Sequence, residues 1–142
     1  MTSYLLDTNV LSEVMKRRPA ECVMDRLRAV PAENLFTSSI CAMELRHGAA
    51  RRQDDGALWR RIRGEVLSRV RVLPLGEDEA FRAGDLLATL EARGQPIGVE
   101  DLLIAATALT HGLVLSTRNV KHLARVPDLR VEDWWRESEP AG

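Results

Sequence analysis

A short apolar run that ends on a carboxylate constrains this chain most. Tyr4-Leu5-Leu6 is followed at once by Asp7, then by Thr8 and Asn9, then by a helix-compatible segment over 10–15. The run reads as a short buried strand that delivers Asp7 to its C-terminal end. Thr8 and Asn9 are then capping-type residues for the next helix. In open α/β sheets that rim is where ligands bind. On this stretch alone Asp7 has two readings. It caps the helix, because Asp is a preferred N-cap, or it belongs to a site.

The rest of the chain repeats the alternation. Pro19 opens a helix over 20–30, with Val23, Leu27 and Val30 on one face, and Pro31 ends it. Residues 35–40 read as a strand or an extended entry. Ser38 or Ser39 then caps a helix to Ala49, which carries Glu44 midway and a Gly48 that permits close packing. Residues 54–70 make an amphipathic helix, with Leu58, Ile62, Val66 and Leu67 inward and Arg60, Arg61 and Arg63 outward. A strand over 70–73 meets Pro74, and a helix runs from Glu77 or Asp78 to Arg93-Gly94. A very apolar helix spans 99–110 and stops at His111-Gly112. A buried strand covers 113–116, with Thr117-Arg118-Asn119 just beyond it. A short helix over 120–124 and a strand over 129–131 lead to Asp133-Trp134-Trp135. Strands alternating with helices predict an α/β sandwich with a mainly parallel sheet.

Composition narrows the class. A chain of 142 residues suits one domain, and 45% hydrophobic residues fill a core. The net charge of −1 makes no global demand for nucleic acid. Charge is uneven, though. Residues 46–71 carry eight Arg against three acids, and residues 72–142 carry seven basic against twelve acidic residues. Cys22 and Cys41 show no CxxC spacing and no zinc-type His partner, so they read as reduced, buried thiols of a cytoplasmic protein. Asp7 interrupts the only candidate signal segment, and no apolar run reaches membrane-spanning length.

The chemistry lies in the carboxylates. Asp101 sits in the first turn of the apolar 99–110 helix, where it either faces a rim or costs several kcal/mol unless compensated. Capping and dipole complementation offer a plainer account of it. Glu100, next door, is the more exposed of the two. A mid-helix Glu44 is most simply a solvated side chain. Should Asp7, Glu44 and Asp101 converge, their repulsion needs a cation, and hard oxygen donors favour magnesium or manganese over zinc. The separations of 37 and 57 residues carry no helical or strand meaning, so spacing alone does not establish convergence.

A resemblance adds to this reading. Asp7 within YLLDTNVLSEV, Glu44 within TSSICAMELRHGA, Asp101 within PIGVEDLLIAATAL and the run LVLSTRNVKHLARVPDLRVEDW together resemble a PIN domain. Their order and spacing resemble the VapC-type toxins of bacterial toxin–antitoxin pairs. Each motif is weak alone, and all of them in order over one domain-length chain are specific. The resemblance implies a three-layer α/β/α sandwich over 1–134, with 135–142 as a C-terminal tail. It implies a metal-dependent ribonuclease that hydrolyses RNA phosphodiester bonds. Asp7 and Asp101 match the family's metal-binding aspartates, and Glu44 matches the acid between them. Thr8, Asn9, Thr117 and Asn119 shape the same pocket and orient substrate or water. Many PIN domains carry a fourth carboxylate where this chain has Asn119, which implies one tightly held Mg2+ or Mn2+ ion. The resemblance also implies a homodimer and a VapB-type antitoxin that covers the acidic pocket. Arg118 and the arginines of 46–71 are candidates for holding the RNA backbone.

Two other classes meet the sequence less well. A dehalogenase-like phosphatase wants a second Asp two residues after Asp7, where Asn9 stands. A receiver domain wants an acidic pair before the first helix and a Lys after a late strand, where Arg118 is the nearest residue. A non-catalytic PIN-like scaffold that only binds a protein partner or RNA remains the alternative, favoured by Asn119 alone.

Overall fold

The computed structural model describes residues 1–136. Five strands, β1 (Tyr4–Leu6), β2 (Leu35–Ser38), β3 (Arg71–Leu73), β4 (Val114–Ser116) and β5 (Val131–Glu132), form one sheet in the order β3-β2-β1-β4-β5. Every pairing is parallel. The helices are α1 (Thr8–Val14), α2 (Glu21–Ala29), α3 (Ser39–Ala50), α4 (Ala57–Arg61), α5 (Glu77–Ala92), α6 (Val99–Thr110) and α7 (Val120–Leu123). The chain moves outward from β1 to β2 and β3, then returns to place β4 on the other side of β1. That reversal opens a crevice at the carboxyl ends of β1 and β4, the topological switch point of such sheets.

β1 is central and buried on both faces, which is why it reads as an unbroken apolar run. Leu5 and Leu6 point to opposite sides. Leu5 packs with Leu86, Leu90, Leu102, Ile104 and Leu115, under α5 and α6. Leu6 packs with Val10, Leu11, Val23, Leu45, Ile62 and Trp134, under α1 and α2. Two helical layers thus enclose the sheet, as the sequence predicts. Register fixes the crevice: Leu6 pairs with Ser116, and the Asp7 amide donates to the Ser116 carbonyl at 2.9 Å. Asp7 and Thr117 therefore leave the sheet side by side.

Several expectations need correction. α1 begins at Thr8, because Asp7 itself takes the N-cap and accepts from the Thr8 amide at 2.8 Å. Thr8 and Asn9 belong to the first turn and do not cap it. The amphipathic helix expected over 54–70 is α4 followed by a π turn over Ile62–Val66 and a 3-10 turn over Leu67–Arg69. The Ser68 hydroxyl donates to the Gly64 carbonyl at 2.6 Å, an acceptor the ladder would otherwise use. The wide turn still buries Ile62 and Val66. β5 starts at Val131, two residues later than expected, after Asp128 turns the chain with φ +65°. A Cβ on Gly48 would meet nothing within 4 Å, so no close packing requires that glycine. Cys22 is only half-buried, while Cys41 is buried; both are free thiols.

Trp134 is fully buried and meets Tyr4 edge-to-face at 5.3 Å, which closes the second core. Trp135 is half-buried. Of the expected tail, residues 137–142 lie outside the described residues. Among the described residues no helix is long and apolar enough to cross a membrane.

Candidate active site

The switch-point crevice holds a pocket of about 470 Å3, lined by Asp7, Glu44, Asp101 and Asn119 among others. Asp7 comes from the end of β1, Glu44 from the middle of α3 and Asp101 from the first turn of α6. Three acids scattered over 95 positions thus share one concavity. A larger hollow of about 750 Å3 opens at the other end of the sheet, beside Met1, Arg71 and Arg130. Its lining includes a single carboxylate, Asp128, whereas the switch-point pocket gathers several.

Each acid is held. Asp7 is buried. Its Oδ1 accepts from the Thr8 amide at 2.8 Å and from the Cys41 thiol at 3.7 Å, and its Oδ2 accepts from the Thr117 hydroxyl at 2.7 Å. The Thr8 hydroxyl donates to Glu44 Oε1 at 3.0 Å. The Asn119 amide donates to Asp101 Oδ2 at 2.8 Å. Thr117 is fully buried beneath the pocket. Besides donating to Asp7, its hydroxyl accepts from the Asn119 backbone amide at 3.0 Å and from the Asn9 side chain at 3.4 Å. Asn9 in turn accepts from the Arg118 amide at 3.2 Å. The seven expected residues therefore form one connected network. Glu100 is exposed on the solvent side of α6 and does not line the pocket.

The acids oppose one another. Burial pushes the Glu44 carboxyl above the usual carboxylate range, and the charges of Asp7, Glu100 and Asp101 add to this against the Thr8 hydrogen bond. Burial and then Asp7 likewise raise Asp101, while the His122 and Asn119 side chains pull it down. Such mutual destabilisation is what a bound cation relieves. Ligand atoms of Asp7, Cys41 and Glu44 lie within 4.8 Å of one another. Burial, followed by the charge on Asp7, pushes the Cys41 thiol up. It therefore remains a protonated donor to Asp7, and the anionic donors are all oxygen. That set fits a hard divalent ion.

Sequence reasoning missed part of the rim. Ser12, Glu13, Lys16 and Trp135 line the same pocket, with Arg118. The sequence presents Cys41 only as a core thiol. Its position three residues before Glu44, almost one helical turn, was the available signal. Of the arginines over 46–71, Arg51 and Arg52 line an adjoining groove that shares Thr8, Ser12 and Glu44 with the pocket.

Comparison with known proteins agrees with this geometry. The PIN domain family model matches residues 4–129. The chain is 39% identical over 133 residues to Ribonuclease VapC1 of Haemophilus influenzae, covering 92% of this chain and 97% of that one. It is 33% identical over 134 residues to the tRNA(fMet)-specific endonuclease VapC of Salmonella typhimurium, covering 94% and 99%. Among solved structures, DNA-bound VapBC from Salmonella typhimurium superposes with a TM-score of 0.85 at 33% identity, covering 94% and 99%. On these matches, the chain belongs to the PIN-domain family, among its VapC ribonucleases.

Proposed function

We propose that the chain is a metal-dependent endoribonuclease, the toxin of a toxin–antitoxin pair in the bacterial cytoplasm. The observation that carries this reading is the meeting of Asp7, Glu44 and Asp101 in one pocket at the switch point. The names of its relatives, a ribonuclease and an endonuclease acting on tRNA, support RNA as substrate. The resemblance to VapC-type toxins and the VapBC neighbour support a cognate antitoxin over the pocket, and the family resemblance supports a homodimer. An electronegative pocket attracts a guanidinium for Coulomb reasons, which is one way a partner blocks it.

Asp7, Asp101 and Glu44 would hold one Mg2+ or Mn2+ ion. When bound, such an ion acidifies its water and neutralises charge on a phosphate oxygen. The remaining roles belong to the chain. Thr117, Thr8 and Cys41 fix the Asp7 carboxylate in one orientation. Asn119 holds Asp101 Oδ2 and leaves Oδ1 for the pocket. Thr8 engages Glu44 Oε1. Oε2 is then left to orient or deprotonate a water, a role suited to a carboxyl raised above the usual carboxylate range. Asn9 and Asn119 supply amides that orient a phosphate. Arg51, Arg52 and Arg118 supply cations along its path.

The test is cleavage of total cellular RNA by wild type and Asp101→Asn, with magnesium, with manganese and with chelator. Discrete fragments that need both the metal and Asp101 support the reading. Folded, partner-free wild type that cuts no RNA overturns it and favours the binding scaffold.

A further inference from the structure

Arg118 stands at the mouth of the acidic pocket and is exposed. Among the described residues its guanidinium makes no ion pair, although four carboxylates, Asp7, Glu13, Glu44 and Asp101, line the same pocket. It lies instead over the Trp135 ring, 5.0 Å from the centroid. That ring is itself anchored. Its indole N–H donates to Oε1 of the buried Glu13 at 3.2 Å, and Glu13 pairs with Lys16 at 2.8 Å. The Trp135 backbone is tied by its amide to Asp133 and by its carbonyl to the Cys22 thiol. The Arg118 backbone is tied to Asn9. A long, mobile side chain is thus held over a fixed aromatic plane at one side of an anionic pocket. Stacking on an aromatic face leaves the guanidinium edge, with its N–H donors, free to point outward.

We propose that Arg118, positioned by Trp135 and Glu13, forms a phosphate subsite for the RNA nucleotide next to the scissile bond. This rests on the ribonuclease reading. A polyanion must approach a pocket lined by four carboxylates, and its neighbouring phosphates need a cation set before it arrives. A preorganised guanidinium supplies that at low entropic cost. Arg118 touches substrate, whereas Trp135 and Glu13 act through it as positioning residues. Lys16 neutralises Glu13, so that the buried carboxylate does not compete for Arg118.

The experiment measures binding of a fluorescein-labelled, single-stranded random-sequence RNA 12-mer in chelator. The host is Asp101→Asn, which keeps the RNA intact. Added Arg118→Ala weakens binding about five- to tenfold and flattens the log–log salt dependence by about 0.7. Trp135→Ala gives most of the same loss, Trp135→Phe recovers only part of it because the ring stays but the hydrogen bond to Glu13 does not, and Trp135→Ala adds nothing once Arg118 is gone. In the otherwise wild-type enzyme Arg118→Ala raises KM and leaves kcat within about twofold. An unchanged salt slope, additive losses or a pure kcat effect overturns the subsite, as does a host that binds no RNA. RNA binding that depends on Arg118, in a protein that cuts nothing with metal, overturns the nuclease reading and leaves the subsite standing.

Discussion

The Asn119 side-chain amide donates to Oδ2 of Asp101 at 2.8 Å, joining the loop after β4 to the first turn of α6 across 18 positions. Asn119 thus stands beside a carboxylate raised by burial and by Asp7, and it pulls that carboxyl down. Asn119→Asp replaces this donor with another anion. In chelator it lowers stability by about 1–3 kcal/mol, the cost of losing a hydrogen bond to a charged group. Added Mn2+ then raises the melting temperature by more than it does in wild type, because binding to the folded state stabilises it by mass action. Calorimetry with and without metal checks both halves. Equal metal-induced shifts would count against a metal beside Asp101.

The raised carboxyls set a pH dependence of stability. Glu44 and Asp101 hold their protons more tightly folded than unfolded. In the metal-free protein, stability therefore falls as pH rises from the ordinary carboxylate value through each raised value, and then levels off. Glu44→Gln and Asp101→Asn each raise the metal-free melting temperature by roughly 1–5 °C at pH 7. The gain disappears in acid, where wild type is protonated as well. A gain that persists at low pH would point to packing instead of charge.

Cys41 and Cys22 separate chemically. Burial and the Asp7 charge push the Cys41 thiol up, and the thiolate is the reactive form. Cys22 is half-buried at the surface of the second core. Iodoacetamide on the native protein labels Cys22 faster than Cys41 by at least about tenfold, and denaturant removes the difference. Mass spectrometry of the peptides reads this directly. Fast native labelling of Cys41 would show that the floor of the pocket opens.

The sequence reveals the sheet more readily than the site. Leu5-Leu6 reads as a central strand because burial on both faces leaves no polar position in it. Asp7 reads as a rim residue because the apolar run stops there. Its meeting with Glu44 and Asp101 is not legible from spacing, since tertiary crossovers of 37 and 57 residues have no period; only the ordered motifs point to it. The π turn at Ile62–Val66 is invisible to a 3.6-residue pattern that fits the same apolar positions. Trp135 and Glu13 were missed because they meet across 122 positions, and each alone looks like an ordinary surface or helix residue.

Glu79 ties two helices together. Its Oε2 accepts from the Gly76 amide at 3.0 Å at the start of α5, and its Oε1 meets His111 at 2.7 Å just past α6. Backbone hydrogen bonding, then His111, holds the carboxyl below the usual range. This stability is present above the unfolded carboxylate value and is lost as pH falls through the folded one. Glu79→Ala costs about 1–2 kcal/mol at neutral pH, a typical loss for a helix-start acceptor, and the difference from wild type narrows in acid. Urea denaturation at two pH values measures it. A constant difference would assign the effect to packing alone.

Thr117 offers the sharpest test of how Asp7 is held. The hydroxyl is fully buried, donates to Asp7 Oδ2 at 2.7 Å and accepts from two amides. Thr117→Val keeps the shape and removes all three contacts, leaving a buried carboxylate oxygen without its donor. The loss is about 1–3 kcal/mol of stability. Cleavage falls more through kcat than through KM, because Asp7 loses its orientation while the RNA-facing cations remain. Thr117→Ser keeps the hydroxyl and recovers most of the rate, with a small stability loss from the missing methyl. Kinetics on a defined RNA oligonucleotide distinguish the cases. If Val and Ser behave alike, the hydroxyl does not orient Asp7, and Thr117 is only part of the packing behind it.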